Sequence, residues 1–166
     1  MSFDKRAFWQ DLLTNKTPPK ATAFLGFELI AFDPDAGWVE AAFTLPEHAT
    51  NPGGDAQGGF VSAMLDEVMS LAGSIAQDGP AMSPTLQMTT SYLRPVPIGE
   101  RLLGRGECVR RGRAALFTRG ELTREDGTLL AQATASCIPR DPLIITILPS
   151  HCLGKSLTIS SAAVLK

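Results

Sequence analysis

The chain has 166 residues, 44% of them hydrophobic and 19% charged, which suits one domain with a single core of ordinary size. Its formal net charge of -2 is spread along the sequence, which argues against a nucleic-acid-binding surface, and no apolar stretch reaches the ~18 to 20 residues of a membrane span. Three cysteines (Cys108, Cys137, Cys152) without a Cys-x-x-Cys pair indicate neither a disulfide framework nor a zinc site. With only His48 and His151, a His-rich metal site or a Ser-His-Asp triad is poorly supplied, which pushes any catalysis towards carboxylates and backbone dipoles. The opening residues, with Asp4 and Asp11 among Lys5 and Arg6, lack the basic-then-apolar order of a signal peptide, so the cytoplasm is the expected compartment.

In chain order, Phe3 to Thr14, with Phe3, Ala7, Phe8, Asp11 and Leu12, predicts a short amphipathic helix stopped before Pro18-Pro19. Ala23 to Phe32 predicts a short strand or an irregular segment leading into the turn Asp33-Pro34-Asp35-Ala36-Gly37. Val39, Ala41, Phe43 and Leu45 alternate with Trp38, Glu40, Ala42 and Thr44, the period of a strand buried on one face, which Pro46 ends. The glycine-rich stretch Asn51-Pro52-Gly53-Gly54-Asp55-Ala56-Gln57-Gly58-Gly59-Phe60 then runs into Val61, Met64, Leu65, Val68, Ala72 and Ile75, the spacing of one helix from about Gly59 to Gln77. Apolar residues cover more than half of its girth, so other elements should surround it. Asp66 and Glu67 sit among those apolar neighbours, where a carboxylate is expensive unless paired, hydrated or used.

Asp78-Gly79-Pro80 stops the helix, and four strand-like runs follow: Thr85 to Leu93, Arg101 to Arg111, Ala114 to Arg124 and Thr128 to Ile138. Short links at Arg111-Gly112-Arg113 and Glu125-Asp126-Gly127 predict hairpins and an antiparallel sheet. Leu129, Ala131, Ala133, Ala135 and Cys137 form an unusually small face, which lets a helix lie close to the sheet. The class is therefore α+β, a single domain over residues 1–142 with an N-terminal helix and linker in 1–22. Residues 143–166 read as a C-terminal extension to which no role is assigned.

The loop ends at a helix N-terminus, whose unpaired N–H groups polarise a carbonyl, while glycines let a substrate approach closely. The order Asn51, Gln57-Gly58-Gly59, Asp66, Thr85 and Ser91-Tyr92-Leu93-Arg94-Pro95 before Gly99 resembles the hotdog-fold acyl-CoA thioesterases of the phenylacetate-pathway, PaaI-like type, over roughly residues 25 to 138. That resemblance implies a hotdog fold, an antiparallel sheet wrapped around one long helix. Its motif is His-Gly-Gly, and here Gln57 stands where the His would be, which removes a group that changes charge near neutral pH.

The chemistry implied is hydrolysis of an acyl-CoA thioester to free CoA and a carboxylic acid, with Asp66 as nucleophile or general base. The family gives Gly58 the oxyanion donor role, Asn51 and Gln57 support roles, and Thr85 the orientation of water. Substrate-binding candidates are Gly59, the Arg110-Arg111-Gly112-Arg113 turn for the CoA phosphates, and Phe60, Met64 and Met88 for the acyl group. No metal and no cofactor are expected, coenzyme A entering only as part of the substrate. Gly58 and Asp66 lie eight residues apart on the expected helix, roughly 12 Å, too far to serve one carbonyl from one chain. A homodimer is therefore the expected site-forming unit, within a homotetramer, with neither a membrane nor a nucleic-acid partner. Two rivals use the same fold: a non-catalytic acyl-CoA-binding sensor or sequestering protein, and a hydratase or dehydratase, for which His48 is the only remotely placed imidazole.

Overall fold

The structure, a computed structural model, describes residues 3–140. The predicted extension beyond 142 lies outside them. The order is α1 (Lys5–Asn15), α2 (Lys20–Phe24), β1 (Glu28–Asp33), β2 (Trp38–Phe43), a 3-10 turn (Glu47–Ala49), α3 (Gly58–Ile75), β3 (Thr85–Tyr92), β4 (Leu102–Arg111), β5 (Leu116–Arg124) and β6 (Leu129–Cys137). The strands form one six-stranded antiparallel sheet in the order β1-β2-β4-β5-β6-β3. This sheet curls around α3, the hotdog arrangement that the family resemblance implies.

Helix α3 is enclosed because its sequence leaves it little choice. Val61, Met64, Leu65, Val68, Met69, Ala72 and Ile75 are essentially inaccessible and meet Val39, Ala41, Phe43, Leu102, Leu122, Ala131 and Cys137 from the sheet or a second cluster beneath α1. The small face of β6 is buried as expected at Ala131, Ala133, Ala135 and Cys137; Leu129 is only half-buried, and Leu130 goes inside instead, next to a register irregularity between Leu122 and Thr123. Glycines of the neighbouring strands bring the sheet closer still. A Cβ at Gly106 would lie 2.1 Å from the Val68 carbonyl oxygen, a backbone atom that cannot step aside. Gly106→Ala should therefore destabilise the fold by about 3 kcal/mol or more through overpacking, readable as a fall in the denaturant midpoint.

One expectation is corrected. The short strand or irregular segment expected over Ala23 to Phe32 opens instead with the end of a short helix, α2, which spans residues 20–24, and its strand begins only at Glu28. The strand Thr85–Tyr92 does not neighbour β4, although it precedes it in sequence; it crosses to the far edge and pairs with β6, Met88 opposite Ala135 and Tyr92 opposite Ala131. The nine residues between them include Pro95, Pro97 and Gly99, too long and too rigid for a tight hairpin. Among the described residues, the outer side of β3 has no strand partner. Helix α1 starts on an Asp4 cap, whose carboxylate accepts from the Ala7 N–H at 3.0 Å. It is anchored by Trp9, 1% exposed, with Phe8 and Leu12 of the predicted face packed on the same cluster and Ala7 exposed. No helix among the described residues is long and apolar enough to cross a membrane.

Candidate active site

The loop before α3 is held by its own asparagine. Asn51 Oδ1 accepts from the N–H groups of Gly53 (2.8 Å) and Asp55 (3.3 Å), while its Nδ2 donates to the Ala56 carbonyl at 3.3 Å. Gly54 supplies the left-handed turn, with φ 91°. The Asn51 amide, to which the resemblance gives a support role, is thus largely engaged in shaping the loop. Two further bonds set the loop on its neighbours: Ala56 N–H donates to the Val96 carbonyl at 2.8 Å and Gln57 N–H to the Ala49 carbonyl at 2.9 Å.

Gln57 is the N-cap of α3, its side-chain oxygen accepting from the Gly59 N–H at 2.6 Å. That bond occupies one donor at the helix start. The Gly58 N–H finds no acceptor among the described residues. Of the two glycines, Gly58 therefore carries the open, polarised donor.

Asp66 and Thr85 come together within one chain. The Thr85 hydroxyl donates to Asp66 Oδ1 at 2.6 Å, linking the helix to the edge strand β3. Both side chains are half-buried. Behind Thr85 lies the thiol of Cys137, 3.9 Å from its hydroxyl, with a pKa raised chiefly by burial. Along α3, Asp66 is eight residues from Gly58, roughly 12 Å at the helical rise, so the carboxylate and the open N–H of one chain do not share a carbonyl.

Glu67 turns the other way. Its carboxylate accepts from the Thr22 hydroxyl of α2 at 3.0 Å, and its pKa is raised first by burial and then by the nearby Asp66 charge, against the opposing Thr22 bond. The folded chain thus holds this proton more tightly than the unfolded chain does. The associated stability is complete below the unfolded pKa and is lost as pH rises through the folded one. Glu67→Gln, which keeps an acceptor for Thr22, should flatten that loss and melt higher than wild type at neutral pH. Hydrolysis should stay within about threefold, as expected for a group that touches no reacting atom. Melting curves followed upward from about pH 4, the usual carboxylate range, check the first part.

The other candidates are dispersed. Met64 is completely buried in the core and lines no open surface, a correction to its acyl-pocket role. Phe60 is half-buried and stacks on Phe24, with ring centroids 5.1 Å apart, and Phe24 meets His48 edge-on at 5.2 Å. Met88 is half-buried on β3. Arg111 is committed to the other end of α3: it donates to the carbonyls of Ala76 (2.6 Å) and Asp35 (2.8 Å), a cation against the negative end of the helix. Gly112 closes the β4–β5 hairpin on the Ala115 carbonyl at 3.0 Å, and all three arginines of that turn are exposed, Arg110 and Arg113 without a side-chain bond among the described residues. Sequence reasoning passed over Ser62, Thr90 and the Tyr92 hydroxyl, which cluster beside Gly58. A signal was present, because Ser62, Asp66 and Ser70 recur every four residues as a half-buried polar stripe on an otherwise apolar helix.

A six-stranded antiparallel sheet curled round one long helix defines the hotdog class of folds. The thioesterase superfamily profile matches residues 53–131. A candidate esterase of Haemophilus influenzae is 30% identical over 96 residues, which span 58% of this chain and 68% of that protein. A phenylacetic acid degradation-related candidate thioesterase from Ralstonia eutropha superposes with a TM-score of 0.71 at 35% identity, over 79% of this chain and 98% of its own. A Streptococcus mutans protein solved with acetyl CoA superposes with a TM-score of 0.61 at 26% identity, over 69% and 88% of the two chains. The chain belongs to the thioesterase superfamily, in its PaaI-like hotdog branch.

Proposed function

We propose that the protein is an acyl-CoA thioesterase whose site is shared across a two-fold axis. Asp66 and Thr85 of one subunit face the open Gly58 N–H of the other, with Asn51 and Gln57 supporting that N–H. The observation that carries this reading is the separation of two competent halves: an Asp66–Thr85 pair at 2.6 Å and an unpaired Gly58 donor roughly 12 Å away along the same helix. Antiparallel apposition of two such helices brings each half against the partner's other half. The outer side of β3, next to Thr85, has no strand partner among the described residues, which supports a continuous sheet through that axis.

In this site the thioester carbonyl accepts from Gly58 N–H, and negative charge developing on its oxygen is held by that donor and the helix N-terminus. Asp66 either attacks the carbonyl carbon, giving an anhydride that water then opens, or takes a proton from the attacking water that Thr85 orients. CoA leaves as its thiol and the acyl group as a carboxylic acid. Neither route uses a metal or a redox cofactor. The acetyl CoA bound by the Streptococcus mutans protein supports a CoA thioester as substrate class. Arg110 and Arg113 are the proposed phosphate contacts; Ala76, which Arg111 of the same turn bonds, lies roughly 15 Å along the helix from Asp66. The half-buried Phe60 and Met88 are the proposed acyl contacts. The cytoplasm, where CoA esters are made and consumed, is the proposed location, and a tetramer of two such dimers the proposed assembly.

Thiol release from acetyl-CoA, palmitoyl-CoA and phenylacetyl-CoA tests the reading and gives the acyl class at once. Turnover of at least one supports it. Saturable binding of all three without thiol release would favour a second reading, an acyl-CoA-binding protein that does not hydrolyse. One observation leans that way: Gln57 cannot supply the imidazole of the family motif and spends its side-chain oxygen on Gly59 N–H.

A further inference from the structure

The chain contains a single tyrosine, and its hydroxyl is placed on the first turn of α3. Tyr92, the last residue of the edge strand β3, donates to the Gly58 carbonyl oxygen at 3.1 Å. Its ring lies against the same glycine: a Cβ at Gly58 would be 3.4 Å from the ring atoms Cε1 and Cζ. Ser62, one turn along the helix, sits 2.6 Å from the Tyr92 hydroxyl and 3.2 Å from that of Thr90. Each hydroxyl has one proton: Ser62 gives its own to Thr90, and Tyr92 directs its own to the Gly58 carbonyl with the Ser62 oxygen lying alongside. The Gly58–Gly59 peptide is consequently pinned at both ends, its oxygen by Tyr92 and its N–H by the side chain of Gln57.

We infer that Tyr92 is a positioning residue for thioester hydrolysis: pinning the Gly58–Gly59 peptide from the edge strand holds the adjoining Gly58 N–H in the direction that the transition-state oxygen requires. This rests on the proposed oxyanion role of Gly58. An oxyanion donor acts through its aim at the developing charge, and a donor free to swing loses that advantage without altering ground-state binding. The tyrosine is 54% exposed, so its hydroxyl does not serve to fill the core. Attached to the strand that also carries Thr85, it ties the oxyanion end of α3 to the strand that orients the acid in the same subunit.

The test is Tyr92→Phe, which keeps the ring against Gly58 and removes only the hydroxyl. Using whichever of acetyl-CoA, palmitoyl-CoA and phenylacetyl-CoA is hydrolysed, kcat should fall about tenfold, less than the loss for deleting an oxyanion donor outright. KM, the melting temperature and the Kd for the thioether S-hexyl-CoA, which has no carbonyl to polarise, should all stay within about experimental error or twofold of wild type. Ser62→Ala should have the smaller effect, because Tyr92 keeps its own proton for Gly58. An unchanged kcat in Tyr92→Phe, or a loss matched by equally weakened thioether binding, overturns the inference. Asp66→Asn measured alongside separates the two levels. If that variant is inactive while Tyr92→Phe is normal, the inference fails alone; if Asp66→Asn hydrolyses like wild type, the site reading beneath it fails.

Discussion

Asp66→Asn should reduce thioester hydrolysis by about 10³-fold or more while leaving the protein folded and able to bind a CoA thioether. The asparagine is nearly the same size, and its side-chain oxygen still accepts from the Thr85 hydroxyl that lies 2.6 Å from Asp66 Oδ1. The link between α3 and β3 therefore survives. What is lost is the negative charge, and with it both the nucleophile and the base, since an amide can neither form the anhydride nor hold a proton from water. A loss in kcat with little change in thioether affinity is the expected signature. Glu67 offers an internal control one position away, half-buried and bonded to Thr22. If Glu67→Gln were inactive and Asp66→Asn active, the acid would be misassigned.

Gly58→Pro should lower kcat by about 10²- to 10³-fold, corresponding to ~3 to 4 kcal/mol of lost transition-state stabilisation. Proline fits this position unusually well. Gly58 is the first residue of α3, where a helix tolerates a missing N–H, and Gln57 before it already has φ -67 and ψ 133, the region that a following proline demands. The substitution thus deletes the open donor with little demand on the backbone. Gly58→Ala restores the N–H and adds only a Cβ at 3.4 Å from the Tyr92 ring, so it should recover most of the activity.

The two inactive variants together test whether the site is shared. In a hetero-dimer of one Gly58→Pro chain and one Asp66→Asn chain, a shared arrangement gathers both lesions in one site and leaves the other intact, so about half the wild-type rate returns. A site contained within each chain would leave that hetero-dimer as inactive as its parents.

Much of the architecture was legible because it depends on local periodicity. The i, i+3, i+4 run from Val61 to Ile75 could bury its apolar girth only inside a sheet, and the alanines of β6 marked the face that would receive it. Asn51, Gln57-Gly58-Gly59, Asp66 and Thr85 stood out because their residue types are conspicuous: glycines at a helix start, a carboxylate among apolar neighbours. Their partners were not legible. That Asn51 spends its amide on its own loop, and Gln57 its oxygen on Gly59, follows from the path of a backbone that turns through a left-handed Gly54.

The β4–β5 and β5–β6 hairpins were legible from their short links, but the neighbour of the first of the four strands was not. The run Thr85–Tyr92 reads the same whether it pairs with β4 or with β6, because period-two alternation reports which face is buried and nothing about the neighbour. Only the closed sheet sends it to the far edge, and that placement sets Thr85 on Asp66 and Tyr92 on Gly58. Burial of Met64 and the recruitment of Arg111 to the end of α3 were decided the same way. The sequence by itself determined a long helix wrapped in antiparallel strands and the residue types available for thioester chemistry. The tertiary structure alone decided which of them meet, since contacts between residues distant in the chain depend on how the whole sheet closes around its helix.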